Sequence, residues 1–216
     1  VAGTTVTRIS ATQVRATSPA RATAGSVDVR VTTPGGTSAV VTADRFTYQA
    51  VPTVTSIAPT AGPLAGGTVV TITGTNLTNA SAVLFGAVAG TSLTRVSATQ
   101  VKATAPARLT TGYVDVRVTT PGGTSAISAV DRFTYTALPT VTGISPAAGP
   151  LAGGTVVTVN GTNLTGATMV FFGSTAAASF TRVSATQVRA TSPSRATTGY
   201  VDIRVTTPGG TSALVG

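Results

Sequence analysis

The sequence predicts an all-β chain of tandem sandwich modules, and three observations carry that prediction. A pattern of 87 residues repeats along the 216-residue chain, the mark of an array of near-identical folding units. Short runs rich in Val, Thr and Ile alternate with period two, and no stretch shows an apolar stripe of helical period. Gly-, Pro- and Asn-containing turns separate these runs at regular intervals. PTVTSIAPTAGPLAGGTVVTITGTNLT at Pro52 returns as PTVTGISPAAGPLAGGTVVTVNGTNLT at Pro139. TRISATQV at Thr7 becomes TRVSATQV at Thr94 and Thr181, and VDVRVTTPGGTSA at Val27 recurs at Val114 and, with Ile203, at Val201. The repeat divides the chain into 1–51, the C-terminal part of one unit; 52–138, a complete unit; and 139–216, a unit lacking its last strand.

Within the complete unit the elements follow in order. Pro52 to Pro59 is a short extended run with Val54 and Ile57 as core candidates, and Thr60–Gly67 (TAGPLAGG) reads as turn material. Thr68–Thr73 is a β-branched strand closed by the Gly74-Thr75-Asn76 turn, and Ala82–Phe85 is a strand ending at Gly86. Ser92–Val96 and Gln100–Thr104 are strands joined by a Ser-Ala-Thr turn. Tyr113–Thr119 alternates cleanly, placing Val114, Val116 and Val118 on the core face and Asp115 and Arg117 on the other. Thr120-Pro121-Gly122-Gly123 is a tight turn, and Ser125 to Tyr135 is expected to form one final strand ending in DRFTY. About seven short strands in fewer than 90 residues predict a β-sandwich.

These motifs, in this order and spacing, resemble the IPT/TIG domain. They are P-x-V-x-x-I-x-P-x-x-G-P-x-x-G-G-T-x-V-T-I-x-G-x-N-L, then V-L-F-G, the V-D-V-x-V-T-T-P-G-G-T-S strand pair and the closing F-T-Y. The resemblance implies an immunoglobulin-like fold of the kind found in plexins, Rel-type transcription factors, some starch-acting enzymes and many bacterial surface proteins. It covers the whole chain, departing only where 1–51 lacks the opening strands and 139–216 lacks DRFTY. TIG domains host varied functions, so function must come from the residues.

Composition narrows the functional classes. There is no Cys, His, Trp or Glu, which removes the usual activated nucleophiles, zinc ligands and carboxylate pairs of enzymes, so no catalytic residue, metal ligand or cofactor site is expected. Calcium loops of D-x-D-x-D-G type are absent, and the Gly-rich AGGT and PGGT segments precede no helix that could present its N-terminus to a phosphate. The five carboxylates, Asp28, Asp44, Asp115, Asp131 and Asp202, fall at two repeated positions and are read as surface ion-pair partners of neighbouring arginines. No apolar run reaches the roughly 18 residues that span a bilayer as a helix, so no membrane insertion is expected of this segment.

The net charge of +9 divides evenly, +3 in each of the three pieces. Arg95, Lys102, Arg108, Arg117 and Arg132, with Arg182, Arg189 and Arg204 in the third unit, are the candidate contacts to a polyanion or acidic glycan. Nucleic acid is disfavoured as a partner, because exposed aromatics interleaved with the cations are missing. Tyr113 and Tyr200 open the penultimate strand, with Ser26 at the equivalent place in the first piece. The N-x-[ST] sequons at Asn76, Asn79, Asn160 and Asn163 are acceptors only if the chain is exported; Asn76 and Asn163 fall in the G-x-N-L turn, where a structural role explains them. Of the 78 positions shared by the last two units, 22 differ, nine of them between Asn79 and Leu93, a segment free to vary or to carry distinct contacts.

The linkers Gln49-Ala50-Val51 and Thr136-Ala137-Leu138 are short and run into Pro52 and Pro139, which predicts a stiff array. The function expected is therefore a non-catalytic structural or adhesive repeat region of an extracellular or cell-surface bacterial fibre, stalk or matrix protein, with self-association into an array. A glycan- or polyanion-binding array is the alternative; a DNA-binding domain and the spacer of a larger enzyme are weaker ones. The incomplete first and last units read either as a window on a longer covalent array or as edges that separate molecules complete by strand addition, and their overlapping strands favour the first.

Overall fold

A computed structural model of the chain describes residues 2–214. They fall into two compact units: residues up to 51 together with Pro121–Gly123, and the remainder. In the larger unit, residues 52–138 form two sheets packed face to face. The first, antiparallel, places Thr91–Ser97, Gln100–Thr104, Val69–Thr75 and Thr53–Ala58 side by side in that order. The second runs Val88–Ala89, Ala82–Phe85, Gly112–Thr120, Arg132–Thr136 and Ala61–Pro63, the last pairing parallel.

Period-two alternation decides which side of each strand meets the core. Val70, Ile72 and Val101 of the first sheet and Val83, Val116, Val118 and Phe133 of the second are essentially inaccessible to solvent, with Leu77 buried between them. The expected core face of Gly112–Thr120 is confirmed for Val116 and Val118, while Val114 is half-buried. Each such side chain contributes roughly 1.5–3 kcal/mol of hydrophobic stabilisation. Phe133 meets Phe85 and Tyr135 edge to face, with ring centroids 5.5 and 5.1 Å away. The buried Tyr135 keeps its polar end satisfied by donating to the Pro106 carbonyl at 2.9 Å, and burial pushes its phenol pKa up.

Two sequence expectations need correction. The segment Thr60–Gly67 is not all turn, since Ala61–Pro63 forms an edge strand beside Arg132–Thr136. Gly62 permits this, because a Cβ there would collide with Thr68 Oγ1 and lie 2.8 Å from Phe133 Cζ. The single final strand expected over Ser125 to Tyr135 is replaced by a 3-10 turn at Ala129–Asp131 and the strand Arg132–Thr136, with the short Gly123–Thr124 pairing just before the segment. The Asp131 carboxylate accepts from the Ser128 amide, offering the backbone a local partner that competes with the ladder.

Residues 139–214 repeat the plan. Thr140–Ser145, Val156–Thr162, Gln187–Thr191 and Ser179–Ser184 form one sheet, and Thr175–Ala176, Met169–Phe172, Ile203–Thr207 and Gly210–Thr211 the other. Val159, Leu164, Val170, Val188 and Val205 are its fully buried centre. Asn76 and Asn163 sit at φ 58° and 57°, the left-handed conformation Asn tolerates best among residues with a Cβ, so both have the structural role expected of the G-x-N-L turn.

In the smaller unit the pairings are Thr4–Arg8 with Val14–Thr17, Gly25–Asp28 with Arg45–Tyr48, and Thr32–Thr33 with Gly36–Thr37. Among its described residues up to 51 none is buried, and Val29 and Val31 stand exposed.

Candidate functional site

The basic side chains of residues 52–138 do not share one face. Arg95 lies opposite the buried Val101, at the inner rim of its sheet, and its Nε donates to the carbonyl of the buried Ala80 at 2.6 Å. Lys102 lies opposite Thr94 and Thr71 and points outward from the same sheet. Arg117 and Arg132 belong to the other sheet. Arg117 Nε donates to the Ser125 carbonyl at 2.8 Å, and the Arg132 guanidinium stacks over the Tyr113 ring, 4.4 Å from its centroid. Arg108 donates through Nη1 to the Gly112 and Tyr113 carbonyls at 3.3 and 3.4 Å and flanks the Tyr135 ring.

The third repeat preserves most of this. Arg182 Nε donates to the Ala167 carbonyl, and Arg189 is exposed on its strand opposite Thr158 and Thr181. Arg204 lies over Phe171, with its Nε buried and without a hydrogen-bond partner. The eight candidates are therefore divided between sheets, and most guanidiniums spend donors on their own backbone or stack on an aromatic ring. The outward positions Lys102 and Arg189 are equivalent in the repeat and recur as the exposed Arg15.

The carboxylates depart further from expectation. Arg45 Nε and Asp28 Oδ1 form an ion pair at 3.7 Å, an exposed contact worth little. Asp131, by contrast, is fully buried, and its Oδ2 accepts from Ser128 N at 2.9 Å and from Ser128 Oγ at 3.2 Å. The surface ion pair expected of it is replaced by a cap. The Ser128-x-x-Asp131 spacing is a capping signature that the sequence already displayed. Among the described residues no group of three or more His, Cys, Asp or Glu could hold a metal ion, and no helix is long and apolar enough to cross a membrane.

The linker Thr136-Ala137-Leu138 is held from two sides by the repeat that follows it. Asn163 Nδ2 donates to the Leu138 carbonyl at 2.9 Å. The Pro208-Gly209 turn approaches the Ala137 carbonyl so closely that any Cβ on Gly209 would collide with it. By the repeat Gly209 falls in a PGGT motif, which carries no sign of this approach. A groove of about 660 Å³ opens beside Phe172, Pro193, Arg195, Val201 and Ile203. In residues 52–138 the counterparts Phe85, Pro106, Arg108 and Val114 line a much smaller pocket together with Tyr135.

The IPT/TIG domain family model matches residues 52–135 and again 139–215. The chain belongs to the IPT/TIG family. Solved structures place its two matched domains beside extracellular ones. The plexin A4 extracellular region solved over domains 1 to 8 is 27% identical with a TM-score of 0.50, and over domains 1 to 10 it is 28% identical with the same score. Each alignment covers 74% of this chain, which spans 17% and 15% of those plexin chains. A looser likeness, 25% identical with a TM-score of 0.33, covers 74% of this chain and 47% of an SGBP-B from a complex xyloglucan utilization locus in Bacteroides uniformis. The fold class read from the repeat is thus the family's own: nearly all-β, with immunoglobulin-like sheets in two tandem IPT/TIG domains.

Proposed function

We propose that these IPT/TIG repeats are a non-catalytic region of an extracellular or cell-surface bacterial stalk, fibre or matrix protein, in which the domains set reach and spacing. The held junction carries this reading. A linker whose Leu138 carbonyl accepts from Asn163 and whose Ala137 carbonyl lies too close to Gly209 to admit a Cβ transmits orientation from one domain to the next, as a spacer must. The dispersal of the basic side chains supports it too, because a ligand site needs polar groups that converge. Surface labelling of intact cells together with negative-stain images of the native material tests the proposal. Thin surface-attached filaments are expected; compact particles confined to the cell interior would contradict it.

A second reading is favoured by one observation. Arg15, Lys102 and Arg189 are exposed at the same repeat position, one per 87 residues, and could track an acidic glycan or other polyanion along the array. So few contacts per domain imply weak binding that salt abolishes. A heparin titration at two ionic strengths separates this from tight, salt-indifferent binding, which would require a specific site.

A further inference from the structure

The groove beside Phe172 lies where the sandwich over 52–138 keeps a strand. There Arg132–Thr136 pairs antiparallel with residues 112–115 and parallel with Ala61–Pro63, and Phe133 and Tyr135 fill the space between the sheets. Among the described residues of 139–214 no strand stands at that place, and both flanking edges have lost their ladder. Residues 199–202, the copy of 112–115, lie outside the strand Ile203–Thr207, and residues 148–150, the copy of Ala61–Pro63, form no strand. The core opens there too: Val70 and Val116 are sealed, whereas their copies Val157 and Ile203 are 5% and 7% exposed.

The groove retains the fittings of the strand it lacks. Arg195 donates from its backbone to the Leu151 carbonyl at 2.8 Å and from Nη1 to the Gly199 carbonyl at 3.1 Å. Arg108 makes the same two bonds, to Leu64 and Gly112, and so flanks the Tyr135 ring. The Pro193 carbonyl repeats that of Pro106, which accepts from the Tyr135 hydroxyl. Gly149 repeats Gly62, which passes close to the Phe133 ring because it has no Cβ. The site is shaped for an extended Phe-x-Tyr segment.

One such segment of the chain is without a core. Arg45–Tyr48 carries RFTY, pairs only with Gly25–Asp28 in a two-stranded sheet, and leaves Phe46 43% exposed. Its rings already hold the buried geometry: Phe46 and Tyr48 meet edge to face with centroids 5.0 Å apart, against 5.1 Å for Phe133 and Tyr135. Arg21 flanks Tyr48 as Arg108 flanks Tyr135.

We propose that the groove is a strand-acceptor site for Arg45–Tyr48 of a second copy of this chain. The incoming strand leaves Gly25–Asp28 and pairs with residues 199–202, which offer the same Gly-x-Val-Asp pattern, so the duplicate partner is exchanged and the antiparallel ladder is conserved. Asp202 replaces Asp28 opposite Arg45. The gain is the parallel pairing with residues 148–150 and the burial of two aromatic rings. Donor and acceptor are different surfaces of one chain, so the contact is head to tail and does not close: each added copy presents a fresh groove.

Sedimentation of the whole chain over a concentration series tests this, together with a labelled peptide of sequence DRFTYT as a soluble competitor. Oligomers that grow with concentration are expected, and excess peptide should cap them. The peptide should bind the chain, and a version with Ser for Phe and Tyr should bind roughly tenfold or more weakly. Phe46→Asp, at an exposed position, should abolish assembly and still bind the peptide. A monomer at every concentration would overturn the proposal, even if the peptide binds. Oligomers indifferent to both the peptide and Phe46→Asp would overturn it as well. Either failure leaves the stalk reading standing, because domains joined in one covalent array need no such site.

Discussion

The strand Val114-Asp115-Val116-Arg117-Val118 and its copy Val27-Asp28-Val29-Arg30-Val31 have the same sequence and opposite fates. In the first, Val116 and Val118 are wholly buried against Val70, Ile72 and Val101; in the second, Val29 and Val31 are 52% and 40% exposed. Both copies pair with an RFTY strand, and the PGGT turn is a hairpin in each. Local sequence therefore specifies strand, register and turn, whereas burial comes only from a second sheet laid across the apolar face.

The largest test of that difference is a charge in the apolar row. Val116→Asp places an unpaired carboxylate in the core and is expected to cost about 3–5 kcal/mol, enough to unfold one marginal domain. Val29→Asp, the same substitution at the equivalent position, is expected to stay within about 0.5 kcal/mol. Thermal melts of the two whole-chain variants decide it, and equal losses would reverse the comparison.

A smaller effect separates the repeat over 52–138 from the one over 139–214, which has no described counterpart of the strand Arg132–Thr136. Gly62→Ala drives a methyl into both Thr68 and the Phe133 ring, whereas Gly149→Ala meets only Thr155. The first is expected to destabilise by about 1–3 kcal/mol and the second by less, read as denaturation midpoints. Next comes acidity. Because the Asp131 pKa is raised, the melting transition of the domain over 52–138 should fall as pH rises through the folded-state value, and Asp131→Asn should flatten that dependence. Smallest is Lys102→Ala, which touches nothing buried. It should leave stability within about 0.5 kcal/mol while weakening any heparin binding at low salt.

Much of this was legible in the chain. The 87-residue period pointed to tandem IPT/TIG domains, and the alternation of Val116 and Val118 to the core face, because a half-buried strand writes its burial with period two. What escaped depended on contacts distant in sequence. Ala61–Pro63 is a strand because Arg132–Thr136 lies beside it, some 70 residues later, and the GP dipeptide alone reads as turn. The basic residues were read together as candidate contacts to a polyanion, yet Arg95 and Lys102 point to opposite sides of their sheet, as register alone reveals. Asp131 was misread as a surface ion-pair partner, although Ser128 three residues earlier was signal enough for a cap.

The central claim is that the junction fixes one domain against the next, and distances between spin labels measure it most directly. The chain has no cysteine, so labels at Leu109 and Tyr200, 98% and 107% exposed, report on the two IPT/TIG domains without disturbing either core. A single narrow distance distribution is expected for the native junction. Gly209→Ala, which pushes the turn off the Ala137 carbonyl, should broaden it. A broad distribution in the unmodified junction, of the kind a flexible tether gives, would contradict the account.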